Sequence, residues 1–160
     1  MTQTAQVPAD ILAFRQIVRD KRGGPHFYVR LLGFNSFEPT FILDKVESGF
    51  SYKTFERLQR NLAFPHGELA KLVQISPRTL ARRREQGRLT AEESDRLLRV
   101  SRVFGKALAL FDGDVDAART WFSVPVPALA NRSPQDVSST EVGAREVENL
   151  VGRLEHGVYS

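Results

Sequence analysis

The sequence predicts an all-α protein, and three observations carry that reading. Apolar residues recur at intervals of three and four, most plainly over residues 91–111, where Leu97, Val100, Phe104, Ala107, Leu108 and Phe111 mark one helical face. Helix starts are written locally: Ser76 before Pro77, Thr90 three residues before Glu93, and Asp114 each place an N-cap oxygen ahead of a helical run. No segment sustains the alternation of a strand.

Residues 1–8 are a polar start without periodicity. Over 9–22, Ile11, Leu12, Phe14, Ile17 and Val18 fall at helical spacing until Gly23, Gly24 and Pro25 break the run. The apolar stretch FYVRLLGF, 27–34, is too short to assign by period and is taken as helical, bracketed by Gly33, Asn35 and Pro39. A helix over 40–47 carries Phe41, Ile42, Leu43 and Val46 and ends at Gly49; the next, over 51–62, turns Phe55, Leu58 and Leu62 inward. Residues 66–73, HGELAKLV, read as a short helix with Leu69, Ala70, Leu72 and Val73 inward, and Gln74, Ile75 and Ser76 form a tight turn. The following helix starts at Pro77 and stops at Gly87, a residue free to take the left-handed conformation. The helix from Ala91 closes at Asp112 and Gly113. Asp114 caps a short helix bearing Val115, Ala118, Trp121 and Phe122. Three prolines in VPVPALANRSPQ argue against regular structure there, although Ser133 with Pro134 can start one helical turn. Residues 141–159 are amphipathic, with Val147, Leu150, Val151, Leu154 and Val158 on one side and Arg145, Glu148, Asn149, Gly152 and Glu155 on the other.

This order suggests an N-terminal helical region over 1–50, able to serve as core or as a dimer interface. A helix-turn-helix domain over 51–100 and a C-terminal domain over 101–160 follow. At 1.5 Å per residue the helix from Ala91 is about 30 Å long, enough to lead from one domain into the next.

Composition excludes several classes. The chain has 160 residues, 41% of them hydrophobic, and no cysteine, so it has neither disulfides nor a thiolate metal site. No apolar run approaches a membrane span, and the first 30 residues carry charges where a secretory signal needs an apolar core; a cytoplasmic protein is expected. His26, His66 and His156 stand far apart without a second ligand at i+3 or i+4, and no glycine-rich phosphate loop or catalytic constellation is visible, so a non-enzymatic protein without cofactor is expected.

The net charge of +4 is unevenly placed: residues 1–100 hold 17 basic and 11 acidic side chains, residues 101–160 hold 6 and 8. Within 71–90 the six bases Lys71, Arg78, Arg82, Arg83, Arg84 and Arg88 meet one acid, Glu85. A merely solvated helix interleaves both signs, so this excess points to a polyanion. On a helix with Leu80 inward, Arg78 and Arg82 face outward with Thr79, Glu85 and Gln86. Arg83 and Arg84 lie nearer the buried side, from which they are expected to reach round to phosphates. Ser76, Thr79 and the arginines at this helix start are placed to meet DNA in the major groove. A single short recognition helix binds weakly, which favours a homodimer on symmetric half-sites.

The strings SPRTLARRR, EESDRLLRVSRVF and PALANRSPQD, the pair Trp121 and Phe122, and the ending TEVGAREVENLVGRLEHGVYS resemble the Xre/MbcA/ParS toxin-binding-domain antitoxins over roughly residues 60–160. The resemblance implies an Xre-like helix-turn-helix domain followed by a small helical toxin-binding domain, whose usual partner is a RES-domain toxin that consumes NAD. It further implies that Arg145, Glu148, Asn149, Gly152, Glu155, His156, Gly157, Val158, Tyr159 and Ser160 bind the toxin and block its substrate entrance. The arginine helix would bind operator DNA and repress the chain's own promoter. Independently of the family, Gly157 lets the chain leave the helix, and a polar, anionic end suits the basic pocket that an NAD-consuming enzyme needs. The chain departs from its relatives at Pro125 to Asn131, where they tend to read P-N-P-A-L-G-G, so that loop's contacts do not carry over. The alternatives are a stand-alone helix-turn-helix regulator whose C-terminal domain only dimerises, and a binding module that uses its helix-turn-helix for subunit packing.

Overall fold

The computed structural model describes residues 6–65 and 67–157; the expectations placed on residues 1–5, His66, Val158, Tyr159 and Ser160 lie outside the described residues. Its helices are α1 (Ala9–Arg19), α2 (Pro39–Ser48), α3 (Tyr52–Leu62), α4 (Glu68–Leu72), α5 (Pro77–Gln86), α6 (Ala91–Leu110), α7 (Val115–Ser123), α8 (Pro134–Val137) and α9 (Glu141–Glu155). There are no strands among the described residues, only two isolated antiparallel bridges, Ser51 with Arg88 and Val126 with Arg132.

Local chemistry sets most helix starts. Ser51, Ser76, Asp114, Ser133 and Thr140 each accept from the backbone N–H three residues on, and Thr90 and Glu93 form the full reciprocal box. Gly87 ends α5 at φ 77°.

One expectation is narrowed and one corrected. The segment taken as helical over 27–34 is helical, in the form of a 3-10 helix, Gly24–Leu32, with His26 off helical geometry. Three residues per turn stack i on i+3, so Tyr28 with Leu31 and Val29 with Leu32 bury four apolar side chains from a nearly continuous run that a 3.6-residue period would splay. The proline-rich stretch also holds some regular structure: a 3-10 turn, Pro127–Leu129, is closed by Val126 donating to Arg132 O at 3.0 Å.

One connected apolar cluster runs from Ile11 and Phe14 through Leu58, Leu69, Phe104 and Phe122 to Val147 and Val151, so the N-terminal region contributes to the same core as the rest. Its centre is α6, which packs against the first 3-10 helix, α9, α7 and α2. Phe104 meets Phe64 and Phe122 edge-on at centroid distances of 5.7 and 5.5 Å. At Gly105 a Cβ would come within 2.6 Å of Tyr28 Cβ, so only glycine lets these two segments approach so closely.

A buried ion cluster fastens α1. Asp10 takes Arg57 on both oxygens (2.6 and 2.7 Å), Asn61 at 2.8 Å and Arg30 at 3.2 Å, while Asn61 also donates to Leu31 O. Burial alone would raise the Asp10 pKa, but the hydrogen bonds from Arg57 and Asn61 and the charges of Arg57 and Arg30 outweigh it and hold it below the usual value.

Candidate functional site

The first candidate surface is the helix-turn-helix formed by α4, the turn over 73–76, and α5. The turn is held by Ile75 N–H on Ala70 O (2.9 Å), with Gln74 at φ 58° and Ile75 buried. None of the ten residues of α5 is fully buried; Leu80 only half covers itself against the core. Helix α5 is thus anchored by its ends and by one arginine more than by an apolar stripe.

That arginine is Arg83. In place of the outward reach expected of it, Arg83 folds back, its Nε donating to Glu93 Oε1 at 2.7 Å and its Nη1 to Gln86 at 3.1 Å. Glu93 is 7% exposed at its side chain and at the same time accepts from Thr90 N–H at 2.9 Å. Burial would raise the Glu93 pKa, yet the Arg83 and Thr90 hydrogen bonds hold it below the usual range. One carboxylate thereby caps α6 and pins α5.

Lys71, Arg78, Arg82 and Arg84 are exposed and Thr79 is half-buried; Lys71 and Arg84 flank the hollow between α4 and α5 that Leu80 and Ala81 also line, while Arg78 and Arg82 do not line it. Arg78 and Arg82 are one turn apart, about 6 Å along the axis. Ser76 is occupied in capping, accepting from Thr79 N–H (3.1 Å) and donating to Thr79 Oγ1 (3.0 Å). Arg88 is exposed, but its Nη1 donates to Ser48 O and Gly49 O at 3.0 and 2.8 Å, tying the end of α2 to the segment after α5. Gly49 is required there: φ is 82° and an added Cβ would lie 2.2 Å from Leu89 O.

The second candidate surface is the outer side of α9. Val147, Leu150 and Val151 are buried as the spacing predicts, while Arg145, Asn149, Glu155, His156 and Gly157 are exposed and Gly152 partly so. Glu148 departs from its expected place on the outer face. It turns toward α6, where Arg102 Nε reaches it at 2.6 Å and Lys106 Nζ also bonds it. Glu141 joins the same ladder through Arg102 (2.8 Å), Arg99 (3.1 Å) and Arg145 (3.4 Å). Burial would raise the Glu141 pKa and the Arg102 contact overcomes it, leaving it lowered; burial would lower that of Arg102, and Glu148 and Glu141 raise it. Sequence reasoning missed Arg99, Arg102 and Lys106. Their spacing over 99–106 along one helix face was the available signal.

Residues 42–102 match the family described as Antitoxin Xre-like helix-turn-helix domain, and residues 106–157 match Antitoxin Xre/MbcA/ParS C-terminal toxin-binding domain. A protein of Yersinia enterocolitica named Antitoxin Xre is 41% identical over 132 residues, covering 82% of this chain and 89% of its own length. The chain belongs to the Xre antitoxin family. A relative of the same name in Photorhabdus laumondii is 34% identical with the same coverage, and one in Pseudomonas putida is 35% identical over 86 residues, 52% of this chain and 54% of its own. Both family domains of this Xre antitoxin meet inside α6, between residues 102 and 106. The Arg83–Glu93 pair lies on one side of that seam. The Lys106–Glu148 pair lies on the other.

Proposed function

We propose that this chain is the antitoxin of a two-gene pair, acting in the cytoplasm as a homodimer, by binding and not by catalysis. Its α9 and the tail after it hold a RES-domain toxin that consumes NAD, with Arg145, Asn149, Gly152, Glu155 and the residues from His156 onward forming the contact. Its helix-turn-helix binds operator DNA through Lys71 on α4 and Arg78, Thr79, Arg82 and Arg84 on α5, and the chain so represses its own promoter. The observation that carries this reading is the pairing, in one chain, of an exposed arginine-bearing recognition helix with a C-terminal domain of the toxin-binding family. Gly157, at φ 67°, supports the tail's part, since it breaks the helical path after His156.

Co-expression with the product of the adjacent gene tests partner and activity together. The expected outcome is co-purification and a cellular NAD level restored to that of cells without toxin. Deleting residues 156–160 should release the toxin, seen as renewed NAD loss, while operator binding in a gel shift stays unchanged. A truncated chain that still neutralises would assign inhibition to the α9 surface alone. If the adjacent gene encoded no NAD-consuming protein and none co-purified, the chain would instead act as a stand-alone regulator.

A further inference from the structure

Between α6 and α9 lies a cleft of about 470 Å³ lined by Arg102, Lys106, Glu141, Arg145, Glu148 and Asn149. Each of its carboxylate oxygens is already engaged by a cation, while its donors are in surplus. Glu148 receives Arg102 on one oxygen and Lys106 on the other; Glu141 receives Arg102 and Arg145 on Oε1 and Arg99 on Oε2. Arg145 is 75% exposed at its side chain and uses only Nε, in a 3.4 Å bond. Among the described residues, both Nη groups of Arg145 and the Asn149 amide have no partner, and Lys106 Nζ uses one of its three N–H groups. Three cations therefore face two carboxylates across a lining with no apolar side chain.

We infer that this cleft receives an acidic side chain of the partner toxin, with Arg145 and Asn149 as its contacts and Lys106 adding charge. The inference rests on the toxin-binding reading above and names the chemistry of one contact within it. A carboxylate supplies the acceptors that the cleft lacks and offsets its excess charge. Without an apolar wall the cleft holds a free anion weakly. A carboxylate carried on a protein already docked along α9 arrives at high effective concentration and adds to the other contacts. All of the cleft's lining residues except Arg102 fall within the matched toxin-binding domain, which begins at Lys106.

The test uses the full chain carrying Arg145→Glu with Asn149→Asp, two exposed changes that leave the Arg102–Lys106–Glu148 bonds in place. Association with the adjacent-gene toxin is followed by stopped flow at about 50 and about 300 mM salt, where screening differs more than twofold in range. The double variant should associate roughly tenfold or more slowly at low salt, with a flatter salt dependence, while Arg145→Lys stays close to the unaltered chain. Wild-type association rates and salt dependence in the double variant, with an unchanged melting curve, would overturn the cleft. A wild-type chain that binds no toxin would defeat the toxin-binding reading itself. Acetate and inorganic phosphate titrated into the free wild-type chain should show no saturation at about 10 mM, as expected for fragments without hydrophobic contact; saturable binding lost in the double variant would make the cleft a small-anion site and overturn the proposal.

Discussion

Arg82 and Arg83 are neighbours in sequence with opposite fates. Arg82 is exposed on α5, whereas Arg83 is 14% exposed and bonded to Glu93. Each phosphate that a cation neutralises adds about 0.9 to the slope of log affinity against log salt. Arg82→Ala should therefore weaken operator binding and reduce that slope by about 1, measured by fluorescence anisotropy across a salt series. Arg83→Ala should leave the slope unchanged and lower the melting temperature. An equal fall in slope for both would mean that Arg83 leaves Glu93 to contact DNA. Helical spacing alone already placed Arg83 near the buried side. What it lacked was Glu93, because a contact across two helices depends on the angle that the Gly87–Thr90 corner sets between them, and no periodicity within either helix encodes that angle.

At the scale of elements, the legible parts were those fixed by adjacent residues. Caps such as Ser76 and Thr90 act over three residues, so their helix starts could be read directly. The 3-10 geometry of Gly24–Leu32 and the inward turn of Glu148 depend on what packs against them, and neither could be read from local pattern. Glycines in α9 illustrate the same divide. Gly143 and Gly152 look alike in sequence, yet a Cβ at Gly143 would lie 1.7 Å from Val137 O and one at Gly152 would meet nothing within 4 Å. Gly143→Ala should force the α8–α9 corner apart at a cost of about 2–4 kcal/mol, read by urea unfolding. Gly152→Ala should instead stabilise by about 0.5–1 kcal/mol, since alanine has the better helix propensity and space is free. Equal effects at the two positions would contradict the close backbone approach at Gly143. Gly152→Ala also adds a methyl to the proposed toxin face, so a gain in stability joined to a loss of toxin affinity would place that contact on bare Cα.

The molecule as a whole shares one helix between its two family domains, and this decides how it should respond to acid. Asp10 in α1, Glu93 in α6 and Glu141 in α9 all have pKa values held below the ordinary carboxylate range, in each case because arginine bonds outweigh burial. A carboxylate with a lowered folded pKa binds fewer protons folded than unfolded. Its contribution is complete above the unfolded value, about 4 to 4.5, and is lost as pH falls through the lower folded one. Stability should therefore be level above about pH 5 and decline below about pH 4.5. The three groups lie in the N-terminal, central and C-terminal parts of the chain, but α6 and the connected core bind those parts together. Trp121, the single tryptophan, sits half-buried on α7 against Phe111 and reports the C-terminal part, whereas far-ultraviolet dichroism reports every helix. The two signals should lose half their amplitude at the same pH, and at the same urea concentration at pH 7, as one cooperative unit requires. A Trp121 transition displaced from the dichroism curve would show that α6 joins two independently stable domains, and the two binding activities could then be separated by cutting within it.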